Sequence, residues 1–274
     1  MINPNATKSG DAVISIRGVS MSYGGRRVLD QVDLDVCRGE ILVLLGGSGS
    51  GKTTLLKHVL GLAKPEAGSI TMNGVDITCC SQLELGAVRR RIGVAFQAGA
   101  LFNSMSVEDN VALPLRELTQ LADSTIKLIV WMKLIAVGMS DAALLYPPEL
   151  SGGMRKRAAV ARAMALDPEI LILDEPSAGL DPIVSAELDE LILFLKRSFG
   201  VTILVVTHEM ESAFRIADRV AMLYQGRLIA VDKKEQFLGH AHPRIRQFLD
   251  RQPDAMPRVA AEEFIASYMR GSKK

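Results

Sequence analysis

The residues Gly46-Gly47-Ser48-Gly49-Ser50-Gly51-Lys52-Thr53-Thr54 follow the spacing G-x-x-x-x-G-K-[ST]. Glycines permit the tight turns that aim successive backbone N–H groups into one concavity, and the N-terminus of a following helix completes an anion cradle. In such a loop Lys52 reaches the β- and γ-phosphates of a nucleotide and the Thr53 hydroxyl ligates Mg2+. A chance match in a glycine-rich turn is the alternative, weakened because the apolar run Ile41 to Leu45 leads straight into the loop. A second run, Ile170-Leu171-Ile172-Leu173-Asp174-Glu175-Pro176, ends on two carboxylates. Open α/β sheets bind ligands beyond the carboxyl ends of their strands. There Asp174 can hold Mg2+ through water while Glu175, on the other side of the chain, polarises an attacking water as general base. Taken alone, the two acids read equally well as solvated loop carboxylates. The third motif, Leu150-Ser151-Gly152-Gly153-Met154, opens the helical run Arg155 to Leu166. Ser151 is either an ordinary N-cap or part of a second anion site at a helix start, which a one-nucleotide chain would have to explain.

These motifs need a sheet to position them. Short β-rich runs alternate with helical patterns, which predicts a largely parallel sheet covered on both faces. Val13 to Met21 and Val28 to Val36 read as an opening antiparallel pair. Strands are expected at Glu40 to Leu45, Ile92 to Phe96, Ile170 to Asp174, Val201 to Val206 and Val220 to Leu223, with a helix from Lys52 to Leu62. Between Gln97 and Leu150 the apolar residues take helical spacing, over Val107 to Leu118 and Ser124 to Val137, without a strand. That predicts an inserted helical lobe, closed by Pro147-Pro148 because a proline pair does not continue a helix. Pro243 to Asp250 and Ala260 to Arg270 read as two terminal helices.

Composition narrows the class. Of 274 residues 48% are hydrophobic and 23% charged, an ordinary globular balance. Lys+Arg 32 against Asp+Glu 31 provides no basic excess, so nucleic acid is not an expected partner. Cys37, Cys79 and Cys80 are too few and too badly spaced for a disulfide framework. The opening Met1 to Asp11 is polar and lacks the apolar core of a signal peptide, so the chain is expected in the cytosol. Its apolar runs are far short of the ~20 residues that span a bilayer.

In order and spacing the motifs resemble those of ABC-transporter ATPases from about Val13 to Leu249: Tyr23, the glycine loop, Gln97 after a strand, LSGGM, ILILDEP, Asp181 in Ser177-Ala178-Gly179-Leu180-Asp181, and His208 after Val205-Val206-Thr207. The resemblance implies a P-loop NTPase of the α/β class: a RecA-like core, an antiparallel β subdomain and an inserted α-helical subdomain. Residues 1–12 form a polar N-terminal segment, 13–250 the ATP-binding domain with its helical subdomain about 98–165, and 251–274 a C-terminal extension. It also implies a homodimer in which ATP lies between one subunit's loop and the other's Ser151, Gly152, Gly153 and Asp181. The ATP-binding residues are then Tyr23 and Gly46 through Thr54, namely Gly46, Gly47, Ser48, Gly49, Ser50, Gly51, Lys52, Thr53 and Thr54. Thr53, Gln97 and Asp174 hold Mg2+, and Glu175, His208, Gln97 and Lys52 are catalytic. Tyr23 offers a π face to adenine, although outside this setting it reads as a half-buried strand aromatic. His208 can donate to the γ-phosphate, where a bare histidine is more often a satisfied structural residue.

Within that family the chain is similar to the ATPases of Mce-associated, Mla-type lipid transporters. The similarity rests on Phe96-Gln97-Ala98-Gly99-Ala100-Leu101-Phe102, Val111-Ala112-Leu113-Pro114-Leu115-Arg116, Met132-Lys133-Leu134 with Ala136-Val137-Gly138, Met154, and Pro243 to Leu249. It implies membrane permease subunits and an Mce-domain lipid-binding subunit as partners, at the cytoplasmic face of the inner membrane, with phospholipid as cargo. The alternative is the same motor on a transporter of a small polar solute. Gly47, where this family usually has proline, departs from the pattern. Nucleotide kinases and small GTPases share the glycine loop but not LSGGM, and a translation or DNA-repair cassette would carry a second cassette, a coiled-coil insertion or zinc cysteines.

Overall fold

The computed structural model describes residues 12–253 and 268–269. The polar opening segment through Asp11 and most of the helix expected at Ala260 to Arg270 lie outside them. The chain divides into two compact units, Met1–Phe237 and Leu238–Lys274.

In the first unit, β1 (Ala12–Tyr23) and β2 (Arg26–Cys37) alternate apolar and polar residues and pair antiparallel. After β3 (Ile41–Leu45) and α1 (Lys52–Val59), β4 (Ala67–Met72) pairs with β1, and β5 (Val75–Asp76) closes a sheet of order β2-β1-β4-β5. Asn73 and Gly74 connect β4 to β5 with φ of 47° and 84°, the pair of positive values that a two-residue hairpin turn requires.

The second sheet positions the site. It takes in β3, β6 (Ile92–Ala95), β7 (Ile170–Asp174), β8 (Thr202–Thr207), β9 (Arg219–Tyr224) and β10 (Arg227–Lys233) in the order β10-β9-β3-β8-β7-β6. All pairings are parallel except β9 with β10. β3 and β8 are buried at every residue, as strands covered on both faces must be. Leu42, Leu44, Ile170, Ile172, Leu204 and Val206 share one apolar cluster with Leu55, Leu56 and Val59 of α1 and with the β1–β2 pair. Burial of each such side chain contributes about 1.5–3 kcal/mol, which fixes α1 against the sheet and so fixes the loop between β3 and α1.

The segment from Phe96 to Leu150 contains no strand, as the periodicity predicts. It holds α3 (Val107–Leu118), α4 (Asp123–Ala136) and a 3-10 turn at Pro147–Glu149, and leads into α5 (Gly152–Ala163). Asn110 on α3 is fully buried; its amide oxygen accepts from Phe102 N at 2.8 Å, and its amide nitrogen donates to Phe102 O at 3.1 Å and Ser106 O at 2.9 Å. One side chain thereby ties the loop after Gln97 to the lobe. The remaining helices are α2 (Gln82–Arg90), α6 (Pro182–Phe199), α7 (Met210–Ile216) and α8 (Lys234–Leu238). In the second unit α9 spans Pro243–Leu249, starting on a proline as the sequence predicts. Among the described residues no helix is long and apolar enough to cross a membrane.

Candidate active site

The glycine loop runs from the buried end of β3 to the first turn of α1. A side-chain carbon at Gly46 would stand 2.5 Å from Leu223 O, and one at Gly51 would stand 2.9 Å from Val28 O in a backbone with φ 108°. Neither position admits another residue without rearranging main chain. Gly47, by contrast, has open space around it and an ordinary φ, so the departure from the family pattern there leaves the loop's path intact. Lys52 spans the loop, donating to Gly46 O at 2.6 Å and Gly47 O at 3.1 Å. Burial pushes its pKa down, and the charges of Glu175 and Asp174 oppose that shift. Ser50 Oγ is buried without a hydrogen-bond partner, an orphaned polar atom in the loop whose spacing predicts a phosphate cradle, which a bound phosphate would satisfy. Thr53 is exposed at the start of α1 and Tyr23 is 49% exposed at the end of β1.

The carboxylates lie at the carboxyl end of β7. Glu175, 9% exposed, has φ 49°, a left-handed backbone that costs a residue with a Cβ about 1–2 kcal/mol. Its own neighbours hold it there: Glu175 N donates to Val206 O at 2.8 Å, and Glu175 O accepts from Lys156 Nζ at 2.8 Å. One carboxylate oxygen accepts from Thr207 Oγ1 at 3.0 Å, and the other lies 2.9 Å from His208 Nδ1. A carboxylate only accepts, so Nδ1 carries the proton and Nε2 is the ring nitrogen left for another partner. Asp174 is half-buried; burial first, then the Glu175 charge, raises its pKa, while Lys156 and Lys52 pull it back.

Among the described residues no group of three His, Cys, Asp or Glu side chains forms a metal cage. One hydroxyl and one carboxylate suit a cation that keeps several waters and takes phosphate oxygens, as Mg2+ does. A cation there would also offset the crowded negative charge that raises Asp174.

Gln97 is exposed in the turn after β6, where Gly99 N donates to Phe96 O at 2.7 Å. Its carbonyl accepts from Lys156 Nζ at 2.6 Å. Lys156, and Thr207 beside Glu175, are the side chains of this cluster that the motifs passed over. Thr207 follows from its place between an apolar strand and His208. Lys156 sits in a mixed helical run that reads as a solvated face, and nothing local marks it.

Ser151, Gly152, Gly153 and Asp181 form a separate group at two helix starts. Ser151 Oγ caps α5 by accepting from Met154 N at 3.2 Å. Asp181 caps α6, accepting from Ile183 N at 3.0 Å and Val184 N at 3.1 Å. A side-chain carbon at Gly153 would stand 2.5 Å from Val184 Cγ1. Among the described residues no hydrogen bond joins this group to the glycine loop of the same chain.

Comparison with known proteins adds to this geometry. The chain is 45% identical over 237 residues to the probable ribonucleotide transport ATP-binding protein Mkl of Mycobacterium leprae, covering 86% of this chain and 68% of the relative. It is 43% identical over 262 residues to the intermembrane phospholipid transport system ATP-binding protein MlaF of Escherichia coli, covering 95% of this chain and 97% of that one. Among solved structures it resembles a dimeric, post-hydrolysis ATP-binding cassette bound to ADP and Pi, with a TM-score of 0.74 and 29% identity over 81% of this chain and 98% of the other. The ABC transporter family itself matches residues 29–178, from the second strand of the antiparallel sheet through both carboxylates, and the chain belongs to that family.

Proposed function

We propose that the chain is the motor of a transporter that moves phospholipids between membranes of a cell envelope, working as a homodimer on permease subunits and an Mce-domain lipid-binding subunit. As an ABC ATPase the chain hydrolyses ATP. The observation that carries the cargo assignment is the 43% identity that runs through 97% of MlaF. A match of that extent takes in the lobe as well as the nucleotide site, and in this reading residues 98–165 are the lobe that docks the permease. The chain would then lie at the cytoplasmic face of the inner membrane.

In this reading Gly46 to Thr54 wrap the phosphates, Lys52 neutralises the β- and γ-oxygens, and Tyr23 stacks on adenine. Thr53, Asp174 and Gln97 would hold Mg2+, which would supply positive charge against the phosphoryl oxygens. Glu175 takes the proton of the attacking water, and its bond to His208 fixes the imidazole with Nε2 turned outward. Ser151, Gly152, Gly153 and Asp181 serve the nucleotide of the opposite subunit. A ribonucleotide cargo is the second reading, favoured by the 45% identity to Mkl, a probable ribonucleotide transport ATP-binding protein.

The deciding measurement takes the intact complex from membranes into nanodiscs, follows ATPase activity and lipid movement, and identifies bound molecules by mass spectrometry. Phospholipid in the permease cavity, moving only with ATP, is the expected result. Hydrolysis stimulated by a ribonucleotide or another small polar solute alone, with no lipid bound, overturns the cargo and leaves the ATPase in place.

A further inference from the structure

We propose that Lys156 is a positioning residue for hydrolysis: its one ammonium binds the main-chain carbonyls of Gln97 and Glu175 together, and so holds both at a fixed place relative to the helix that begins at Ser151. The two bonds are 2.6 Å to Gln97 O and 2.8 Å to Glu175 O. Each acceptor belongs to a backbone that has turned out of its regular path. Glu175 has φ 49°, and the loop after Gln97 takes φ of 75° at Gly99 and 50° at Ala100. Arg162, further along α5, donates to Gly99 O at 3.0 Å and Ala100 O at 2.7 Å. Three carbonyls of the Gln97 loop thus face α5 and end on its cations, while Lys156 alone also reaches the peptide of Glu175.

An ammonium suits this place because it has three donors and no acceptor, and because charged donors to carbonyls make the stronger hydrogen bonds. Lys156 is half-buried, with Asp174, Glu175 and Glu209 supplying the negative charge around it. A methylene stem topped by a point charge fills that gap between helix, loop and strand end. Movement of α5 would then carry the Gln97 loop and the Glu175 peptide with it. The inference rests on the reading that Glu175 is the general base and Gln97 a Mg2+ ligand.

The test uses the full chain and compares wild type with Lys156→Met, Lys156→Arg and Glu175→Gln for kcat, KM, binding of a fluorescent ATP analogue and thermal midpoint. Lys156→Met loses the two charge-assisted hydrogen bonds that place Gln97 and Glu175 and should lower kcat by about 10- to 100-fold with KM and nucleotide Kd within about threefold. Lys156→Arg, whose fork reaches two carbonyls, should recover most of the turnover. If Lys156→Met does not fold, Lys156→Gln, too short for both carbonyls, must show the same split. Loss of affinity and thermal midpoint in step with kcat, without recovery in Lys156→Arg, reduces Lys156 to a structural cation and overturns the proposal. Wild-type kcat in Lys156→Met beside an inactive Glu175→Gln overturns it alone, whereas an active Glu175→Gln removes the general-base reading and this inference with it.

Discussion

Asp174 is placed where stability and chemistry conflict. Burial and the neighbouring Glu175 raise its pKa, so between the ordinary aspartate range and that raised value the folded chain binds more protons than the unfolded one. Stability therefore falls as pH rises through this window, and above it the ionised carboxylate is a cost to the fold. Asp174→Asn removes the charge and keeps the shape. The thermal midpoint of the metal-free chain should rise at pH 7, by about 2–4 °C for each kcal/mol recovered in a chain of this size, while Mg2+-dependent ATPase activity is lost. Lys52 and Lys156 keep Glu175 as a counter-charge, which limits any offsetting loss. The gain should shrink as pH is lowered through the raised pKa, since wild type is then neutral too. Scanning calorimetry at several pH values decides the matter; an unchanged or lowered midpoint at pH 7 would show that the buried charge is not a net cost.

The packing of α5 on α6 offers an element-scale test, because a Cβ at Gly153 would sit 2.5 Å from Val184 Cγ1. Gly153→Ala should destabilise the chain by about 1–3 kcal/mol through overpacking, and Val184→Ala in the same chain should relieve most of that. Chemical denaturation of the two single variants and the double closes the cycle, and strictly additive losses would mean the helices do not meet through this pair. The same elements show what a sequence discloses. β3, β7 and β8 are legible as apolar runs because both faces are buried, α3 because one face is apolar at helical spacing, and α4 because Ile126, Val130 and Leu134 keep that spacing although Leu128, Trp131, Met132 and Ile135 are apolar and exposed. β10 is not legible in the same way, since it lies at the sheet edge with every residue at least partly exposed and its sequence carries no strong alternation. Asn73-Gly74 announces the β4–β5 turn, Ser81 with Glu84 three residues on announces α2, and Asp181-Pro182 followed by Leu188, Leu191, Ile192 and Leu195 announces α6. Asp181 is a helix cap as well as a motif residue. Lys156 had no signal at all, because the carbonyls it binds lie 59 and 19 residues away in the chain, and only the assembled fold brings them within reach.

At the scale of the whole molecule the two helix starts proposed to hold nucleotide phosphates pose the remaining problem. One is the N-terminus of α1 with the glycine loop and the other the N-terminus of α5 at Ser151, with no hydrogen bond between them in one chain among the described residues. A relative of the same fold is a dimer bound to ADP and Pi, and a two-fold axis would let each chain offer its loop to one nucleotide and its Ser151 to the other. On this arrangement Lys52→Ala and Ser151→Arg, each inactive alone, damage opposite walls of one site. A mixed dimer of the two collects both lesions in one site and leaves its second site with an intact Lys52 and an intact Ser151. Half the dimers in an equal mixture are mixed and half their sites are whole, so turnover should return to about a quarter of wild type if the sites fire independently. Had each chain built its site alone, every site in the mixture would carry one lesion and nothing would return. Mixed dimers that remain inactive leave two explanations, a site within one chain or two sites obliged to fire together. Counting the ADP held when ADP and vanadate are supplied directly, so that trapping needs no turnover, separates them: one nucleotide held per mixed dimer keeps the cross-chain site, and none abandons it.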